Sequence, residues 1–203
     1  SAHCVRAGEQ MKVELRDLTP DERTRVQQRF ETLVGKRFAP SAKKPRQEVW
    51  WPKAPLDGRA FPEGIQPPAA DGAFNESARL LGFLTGVGGS EFYVANLSAP
   101  SPQFRHTGKL DSELAVWIRT RLVSNTTCLL SSTRDVLLIM DTQMKYSVIG
   151  ASPEIIELFE KRFGGADALR STVTEYVDQM RVGAGLDDLK WAQDYLLRWS
   201  GWN

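Results

Sequence analysis

The sequence is poor in the residues from which the commonest catalytic and metal-binding sites are built. Its 203 residues include only two histidines and two cysteines. Cys4 and Cys128 are too few and too far apart in the chain to indicate a disulfide framework or a metal site. The motifs HExxH, CxxC and GxSxG and the phosphate-binding P-loop are all missing. We therefore expect no catalytic residue, no cofactor and no metal, and we favour a protein that is not an enzyme.

Long apolar runs are also missing from the sequence. No stretch of about 18 consecutive apolar residues is present, which argues against a transmembrane helix. The opening SAHCVRAGEQ has no apolar segment of the kind that secretory signals contain. We expect residues 1–10 to be a disordered leader, either an upstream extension or a cloning remnant that precedes Met11. Together with the scarcity of cysteine, these features favour a cytoplasmic location.

A strand–turn–strand–helix pattern in the middle of the chain is the clearest structural signal. The apolar run VLLIM at residues 136–140 lies between charged and turn-forming residues and predicts a buried strand. Residues 145–149 alternate polar and apolar side chains, so the two runs together predict a hairpin. Ser152 and Pro153 then favour the start of a helix, and Gly164 favours its end.

The whole pattern predicts one α+β domain over residues 11–203, with a mainly antiparallel sheet flanked by about five helices. Hydrophobic residues make up 41% of the chain and charged residues 25%, as in an ordinary globular domain. We expect the strands at residues 91–97, 127–130, 136–140 and 145–149. We expect the helices near residues 20–34, 111–124, 153–163, 167–182 and 186–199. Residues 75–84 fit either a helix or a strand, and the glycine-rich run 82–89 lacks the Gly-Lys-Ser/Thr of a P-loop.

Residues 38–71 contain seven prolines and predict a long loop that wraps the outside of the domain. Basic and aromatic side chains alternate within this loop, in a pattern that fits stacking on bases and contact with phosphate. These candidate nucleic-acid-binding residues are Lys43, Lys44, Arg46, Trp50 and Trp51. The alternative, which we favour, is that the two tryptophans anchor the loop on the core and that residues 48–51 form a short strand.

Charge is distributed unevenly along the chain. Residues 12–59 carry 12 Lys and Arg against 7 Asp and Glu, whereas residues 151–203 carry 6 against 9. An acidic carboxyl-terminal segment complements a basic partner. The candidate partner-binding residues there are the carboxylates Glu154, Glu157, Glu160, Asp187, Asp188 and Asp194 and the aromatic residues Trp191 and Tyr195. Core packing is the alternative role for the two aromatic residues, because they recur at helical spacing.

The remaining chemical candidates are isolated residues. His106, in a predicted loop, is the only histidine outside the leader, and a site made with Asp135 and Asp141 would suit a small hydrolase or nuclease. The same two carboxylates also suit Mg²⁺ if a third ligand joins them. Cys128 with His106 is a further combination. Carboxylates at strand ends are, however, also ordinary turn residues.

Residues 127–165 resemble the tails of bacterial immunity proteins, which neutralise the toxins of contact-dependent inhibition and related polymorphic toxin systems. The resemblance rests on an apolar strand, an acidic turn at Asp141, a second strand with Tyr146, and a helix that follows Gly150, contains Glu154 and ends at residues 164–165. It implies a cytoplasmic protein that binds one cognate toxin and covers its active site. An acidic surface would complement a toxin that cleaves nucleic acid, because such active sites are generally basic.

Overall fold

The computed structural model describes residues 13–38, 48–62, 73–121, 126–141 and 146–183. Nine strands and five helices occur in these ranges. The strands are β1 (Arg16–Asp17), β2 (Val34–Phe38), β3 (Glu48–Pro52), β4 (Asp57–Pro62), β5 (Phe92–Asn96), β6 (Phe104–Thr107), β7 (Thr126–Ser131), β8 (Leu137–Asp141) and β9 (Tyr146–Ala151). The helices are α1 (Pro20–Leu33), α2 (Ala73–Gly88), α3 (Ser112–Arg121), α4 (Pro153–Arg162) and α5 (Ala166–Gly183).

Seven of the strands form one antiparallel sheet in the order β1-β6-β5-β7-β8-β9-β4. The adjacent strands β7, β8 and β9 are buried on both faces, which explains the continuous apolar run in the sequence of β8. Strands β2 and β3 form a separate antiparallel pair. The predicted α+β class, with a mainly antiparallel sheet, is therefore confirmed.

One face of the central sheet is covered by α1 and the β2–β3 pair. Phe104 of β6 and Ala60 of β4 lie on this same face. A row of directly paired residues, one on each intervening strand, connects them across the sheet, and residues paired in this way point to the same side. Phe30 of α1 packs on Phe104, with their ring centroids 5.2 Å apart. Helix α1 begins with a capping box between Thr19 and Glu22, as the sequence predicts.

The other face carries the remaining helices. Phe61 follows Ala60 on β4 and therefore points to the opposite side, where its ring lies 5.2 Å from Phe159 of α4. Phe83 of α2 reaches the same cluster, 5.7 Å from Phe159. Leu169, with the other apolar residues of α5, belongs to the same continuous core. The sheet is thus the middle layer of three.

The structure confirms most of the predicted elements and corrects two of the predicted loops. Strand β4 lies inside the segment expected to wrap the outside as a loop, and it forms an edge of the central sheet. Its only proline is its last residue, Pro62, so the backbone of the strand keeps its hydrogen-bond donors. His106 lies on strand β6 and not in a loop. The undecided segment at 75–84 belongs to helix α2, which also absorbs most of the glycine-rich run.

Two predicted segments lie outside the described residues. These are the leader at residues 1–10 and the helix near residues 186–199. Among the helices that are described, none is both long and apolar enough to cross a membrane.

Candidate functional site

The first turns of helix α4 present an acidic surface beside an exposed apolar side chain. Leu158 is 51% exposed, although it is a large apolar side chain on a helix whose inner face is buried. Glu154 lies one helical turn before it and Glu157 precedes it directly in the chain, whereas the exposed cations Lys161 and Arg162 lie one turn after it. Both carboxylates are exposed, and Glu157 pairs only distantly with Lys161, at 3.9 Å. We call Glu154, Glu157 and Leu158 the acidic α4 surface.

The start of α4 helps to keep Glu154 charged. The sequence predicts that the Ser152 side chain caps this helix, but Ser152 makes no side-chain cap hydrogen bond there. Its hydroxyl instead donates to the Glu154 carboxylate, which lowers the pKa of Glu154 below its usual value. Pro153 occupies the first helical turn, where its missing N–H is not needed.

Glu160, the third candidate carboxylate on α4, faces the fold and not the solvent. Its Oε1 lies 2.9 Å from Nε of Arg59 on β4, and each side chain is only about one-fifth exposed. The pair joins the helix to the edge strand of the sheet. We therefore assign Glu160 to the packing of α4 and not to a surface that a partner would contact.

The other candidate partner-binding residues lie outside the described residues. These are Asp187, Asp188, Asp194, Trp191 and Tyr195. The basic residues of the predicted nucleic-acid-binding segment, Lys43, Lys44 and Arg46, lie outside them too. Their roles stay predictions.

Both tryptophans of that segment are engaged within the fold. Trp51 is buried, and its ring lies against Gly58 of β4. Trp50 packs 5.5 Å from Phe30, and the Lys36 ammonium lies 4.8 Å from the centre of the Trp50 indole. This arrangement agrees with the anchoring role and with the predicted strand at residues 48–51, which is β3.

His106 contacts one carboxylate and one aromatic ring among the residues that the structure describes. Its Nε2 lies 3.4 Å from Glu91, and its ring meets the ring of Tyr93 edge-on, with centroids 5.8 Å apart.

Cys128 lies two strands away from His106, about 10 Å across the sheet. It is fully buried, and burial raises the pKa of its thiol. Because a buried thiol does not ionise readily, the Cys128–His106 combination does not form a nucleophilic site.

The hydrolase or nuclease site expected from His106, Asp135 and Asp141 does not form either. Strand β6 lies three strands from β8, so His106 is about 14 Å across the sheet from either carboxylate. Asp135 and Asp141 flank opposite ends of β8, and Asp135 pairs with Arg29 at 2.9 Å. In the described part of the chain, no three His, Cys, Asp or Glu side chains are grouped so as to hold a metal ion.

A cavity of about 590 Å³, on the same face of the sheet as α2–α5, was not foreseen from the sequence. It lies between α3 and the β6–β5 side of the sheet. Its walls include Leu15, Val94, Asn96, Arg105, Trp117 and Arg121, and we call it the arginine groove. Arg105 lies on the opposite side of β6 from the buried Phe104, and no pattern in the sequence shows the strand pairing that brings it near α3.

No protein-family model matches this sequence, and neither the curated proteins nor the solved structures contain a significant match to it.

Proposed function

We propose that this chain is a protein-binding protein and that its acidic α4 surface contacts a basic protein partner. The observation that carries the proposal is the position of Leu158, a large, exposed apolar side chain beside two exposed carboxylates. The inner side of the same helix is held by the buried Ile156 and Phe159, so the surface is presented on a rigid support.

This arrangement has the composition of a small binding site between proteins. An apolar anchor at the centre of an interface supplies most of the affinity when a partner removes it from water. Charged groups around the anchor steer the encounter and select a partner of opposite charge. Glu154 and Glu157 would therefore speed the association with a basic surface, whereas Leu158 would hold the complex together.

The specific form that we propose is the neutralisation of a toxin. The resemblance to bacterial immunity proteins implies a partner whose active site is covered by the bound protein. A nuclease toxin binds a polyanion, so its active site offers the basic surface that the carboxylates of α4 complement. In this proposal, affinity comes from a preformed surface and requires no catalytic residue of the present chain.

Affinity capture from the native lysate, followed by mass spectrometry, tests the proposal. We expect the tagged wild-type chain to retain one protein in stoichiometric amount. Leu158→Arg should abolish its retention, because a charge at the centre of an interface is left buried without a partner. Glu154→Lys with Glu157→Lys should slow the association and reverse the effect of added salt. The captured protein should be toxic when expressed alone and harmless beside the wild-type chain.

Glu175→Lys is the matched control, because Glu175 is an exposed carboxylate on the neighbouring helix α5. It should capture the partner as well as the wild type does. Undiminished capture by Leu158→Arg would show that α4 is not the contact surface. If no protein is retained in stoichiometric amount, protein binding itself is wrong. A captured protein that is not toxic would keep protein binding and remove toxin neutralisation.

A further inference from the structure

The arginine groove is separate from the acidic α4 surface, since no residue of α4 lines it. Its floor is the part of the sheet where β5 and β6 pair, and its far wall is helix α3. The volume of about 590 Å³ lies within the range of about 300–1,000 Å³ that is usual for ligand sites. The groove therefore has room for a molecule with a single ring or with two fused rings.

The walls of the groove are largely apolar. Val94 lines the side formed by the sheet, Leu15 lines it just before β1, and the indole of Trp117 lines the side formed by α3. Val94 is buried and Leu15 and Trp117 are half-buried, so their positions are fixed by the core behind them. A flat apolar molecule between these side chains would gain contact with an aromatic ring and lose contact with water.

The charges that line the groove are all positive. Arg105 projects from β6 and Arg121 from the end of α3, and no carboxylate is among the lining residues. Asp17 lies 3.2 Å from Nε of Arg105, which leaves four of the five N–H groups of that guanidinium for another acceptor. Among the described residues, none forms an ion pair or a hydrogen bond with the Arg121 guanidinium.

A second cavity nearby has the opposite character. It measures about 340 Å³ and is lined by the carboxylates Glu14, Asp111 and Glu113, with Lys109 as its cation. The contrast shows that positive charge is a property of the arginine groove and not of this whole side of the molecule. An anion would thus distinguish the two cavities.

We propose that the arginine groove binds a small aromatic organic acid. Its ring system lies against Trp117, Leu15 and Val94, and its carboxylate accepts hydrogen bonds from Arg105 and Arg121. The guanidinium group matches a carboxylate with two parallel donors, and such charge-assisted bonds are stronger than those between neutral groups. Asn96 and Gln103, which also line the groove, supply neutral polar groups that orient the ligand. The site is independent of the proposed binding of a protein partner.

Titration with 1-naphthoate tests the proposal, with the neutral 1-naphthalenemethanol as the matched probe. Binding is followed by NMR on the ¹⁵N-labelled chain through the indole signal of Trp117, which is assigned by its loss in Trp117→Phe. We expect naphthoate to shift this signal in a saturable way and the neutral probe to bind about tenfold more weakly, because it forms no charge-assisted hydrogen bond. The absence of a saturable shift at millimolar naphthoate would overturn the proposal.

Variants then locate the anion. Arg121→Gln, at a side chain without a described partner, should weaken naphthoate binding about tenfold and leave binding of the neutral probe unchanged. Arg170→Gln, an exposed arginine on α5, should bind naphthoate as the wild type does. Ala99→Leu, at another lining residue, should abolish the binding of both probes by filling the groove. If Arg121→Gln or Ala99→Leu binds naphthoate with wild-type affinity, the ligand lies elsewhere and the proposal is wrong.

Discussion

Among the described carboxylates, Glu22 has the pKa that is lowered most strongly. Its two oxygens each lie 2.9 Å from a terminal nitrogen of Arg16, and one also accepts from the Thr19 backbone N–H at 2.8 Å. The hydrogen bonds from Arg16 are the main reason that the pKa of Glu22 falls from its ordinary 4.5 to about 2. This interaction ties β1 to the start of α1.

Glu22→Gln should therefore lower the urea midpoint of unfolding at neutral pH. A carboxyl whose pKa is depressed in the folded state stabilises the fold above its unfolded pKa, and that contribution is lost as the pH falls through the folded pKa. The difference between wild type and variant should shrink between pH 4.5 and about 2. Urea unfolding across this range measures it, with Glu175→Gln as the control. A difference that does not depend on pH would contradict the linkage.

Cys128 should be unreactive in the folded protein. It is fully buried on β7, and burial raises the pKa of its thiol. In a Cys4→Ser background, a thiol-specific disulfide reagent should react with Cys128 only as fast as the chain unfolds, and at once in concentrated guanidinium. Ser171→Cys on the exposed side of α5 serves as the reactive control. Immediate labelling of Cys128 in the native state would mean that β7 is accessible to solvent.

At the scale of elements, Gly150 determines how closely the β2–β3 pair approaches the central sheet. A Cβ at Gly150 would lie 2.6 Å from Cγ of Pro52 and 3.0 Å from Cδ1 of Leu137. Because both neighbours are packed, Gly150→Ala should lower the free energy of unfolding by about 1–3 kcal/mol. Gly82→Ala is the matched control, since a Cβ there meets nothing within 4 Å. In helix α2 it should stabilise by about 0.5–1 kcal/mol. Equal effects in chemical unfolding would contradict the close packing.

The two carboxylates Glu157 and Glu160 of α4 should contribute differently to stability. Glu160→Gln breaks a half-buried ion pair with Arg59 that links α4 to β4, so we expect a loss of about 1–3 kcal/mol in the free energy of unfolding. Glu157→Gln removes only an exposed pair with Lys161 at 3.9 Å, and its effect should stay within about 0.5 kcal/mol. Urea unfolding of both variants compares them directly. A larger loss for Glu157→Gln would reverse the roles given to these residues.

Elements with a strong local signal were predictable from the sequence, and those that depend on pairing were not. The β8–β9 hairpin and helix α4 follow from apolar periodicity and from Ser152, Pro153 and Gly164. Strand β1 has two residues and β6 has four, so neither is long enough for an alternation of polar and apolar residues that would distinguish it from a turn. Both exist because antiparallel partners complete their hydrogen bonds, and this information lies in other parts of the chain.

The candidate sites also differ in whether local sequence or long-range contacts determine them. The exposure of Glu154 and Glu157 follows from helical spacing alone, whereas the exposure of Leu158 does not, because an apolar residue at that position is expected to widen the buried stripe of the helix. The burial of Glu160 depends on Arg59, about a hundred residues earlier in the chain, and no local pattern reveals that contact. The arginine groove likewise joins side chains from β6 and α3 that only the tertiary fold brings together.

At the scale of the whole molecule, one core extends through both faces of the central sheet. Phe30 packs on Phe104 and Trp50 on one face, and Phe159 packs on Phe61 and Phe83 on the other. Among the described residues, Phe30 and Phe159 therefore have different aromatic partners. Both are almost fully buried and belong to the same continuous cluster. Loss of packing on either face of the sheet should therefore destabilise the whole domain.

Phe30→Leu and Phe159→Leu should each destabilise the same cooperative unfolding transition. We expect a loss of about 1–3 kcal/mol for each variant, and the double variant should lose the sum, because the two side chains lie on opposite faces of the sheet. Circular dichroism and tryptophan fluorescence should report coincident transitions in all three variants. Two separated transitions in Phe30→Leu would show that α1 and the β2–β3 pair unfold independently of the sheet, and the three layers would then not form one cooperative unit.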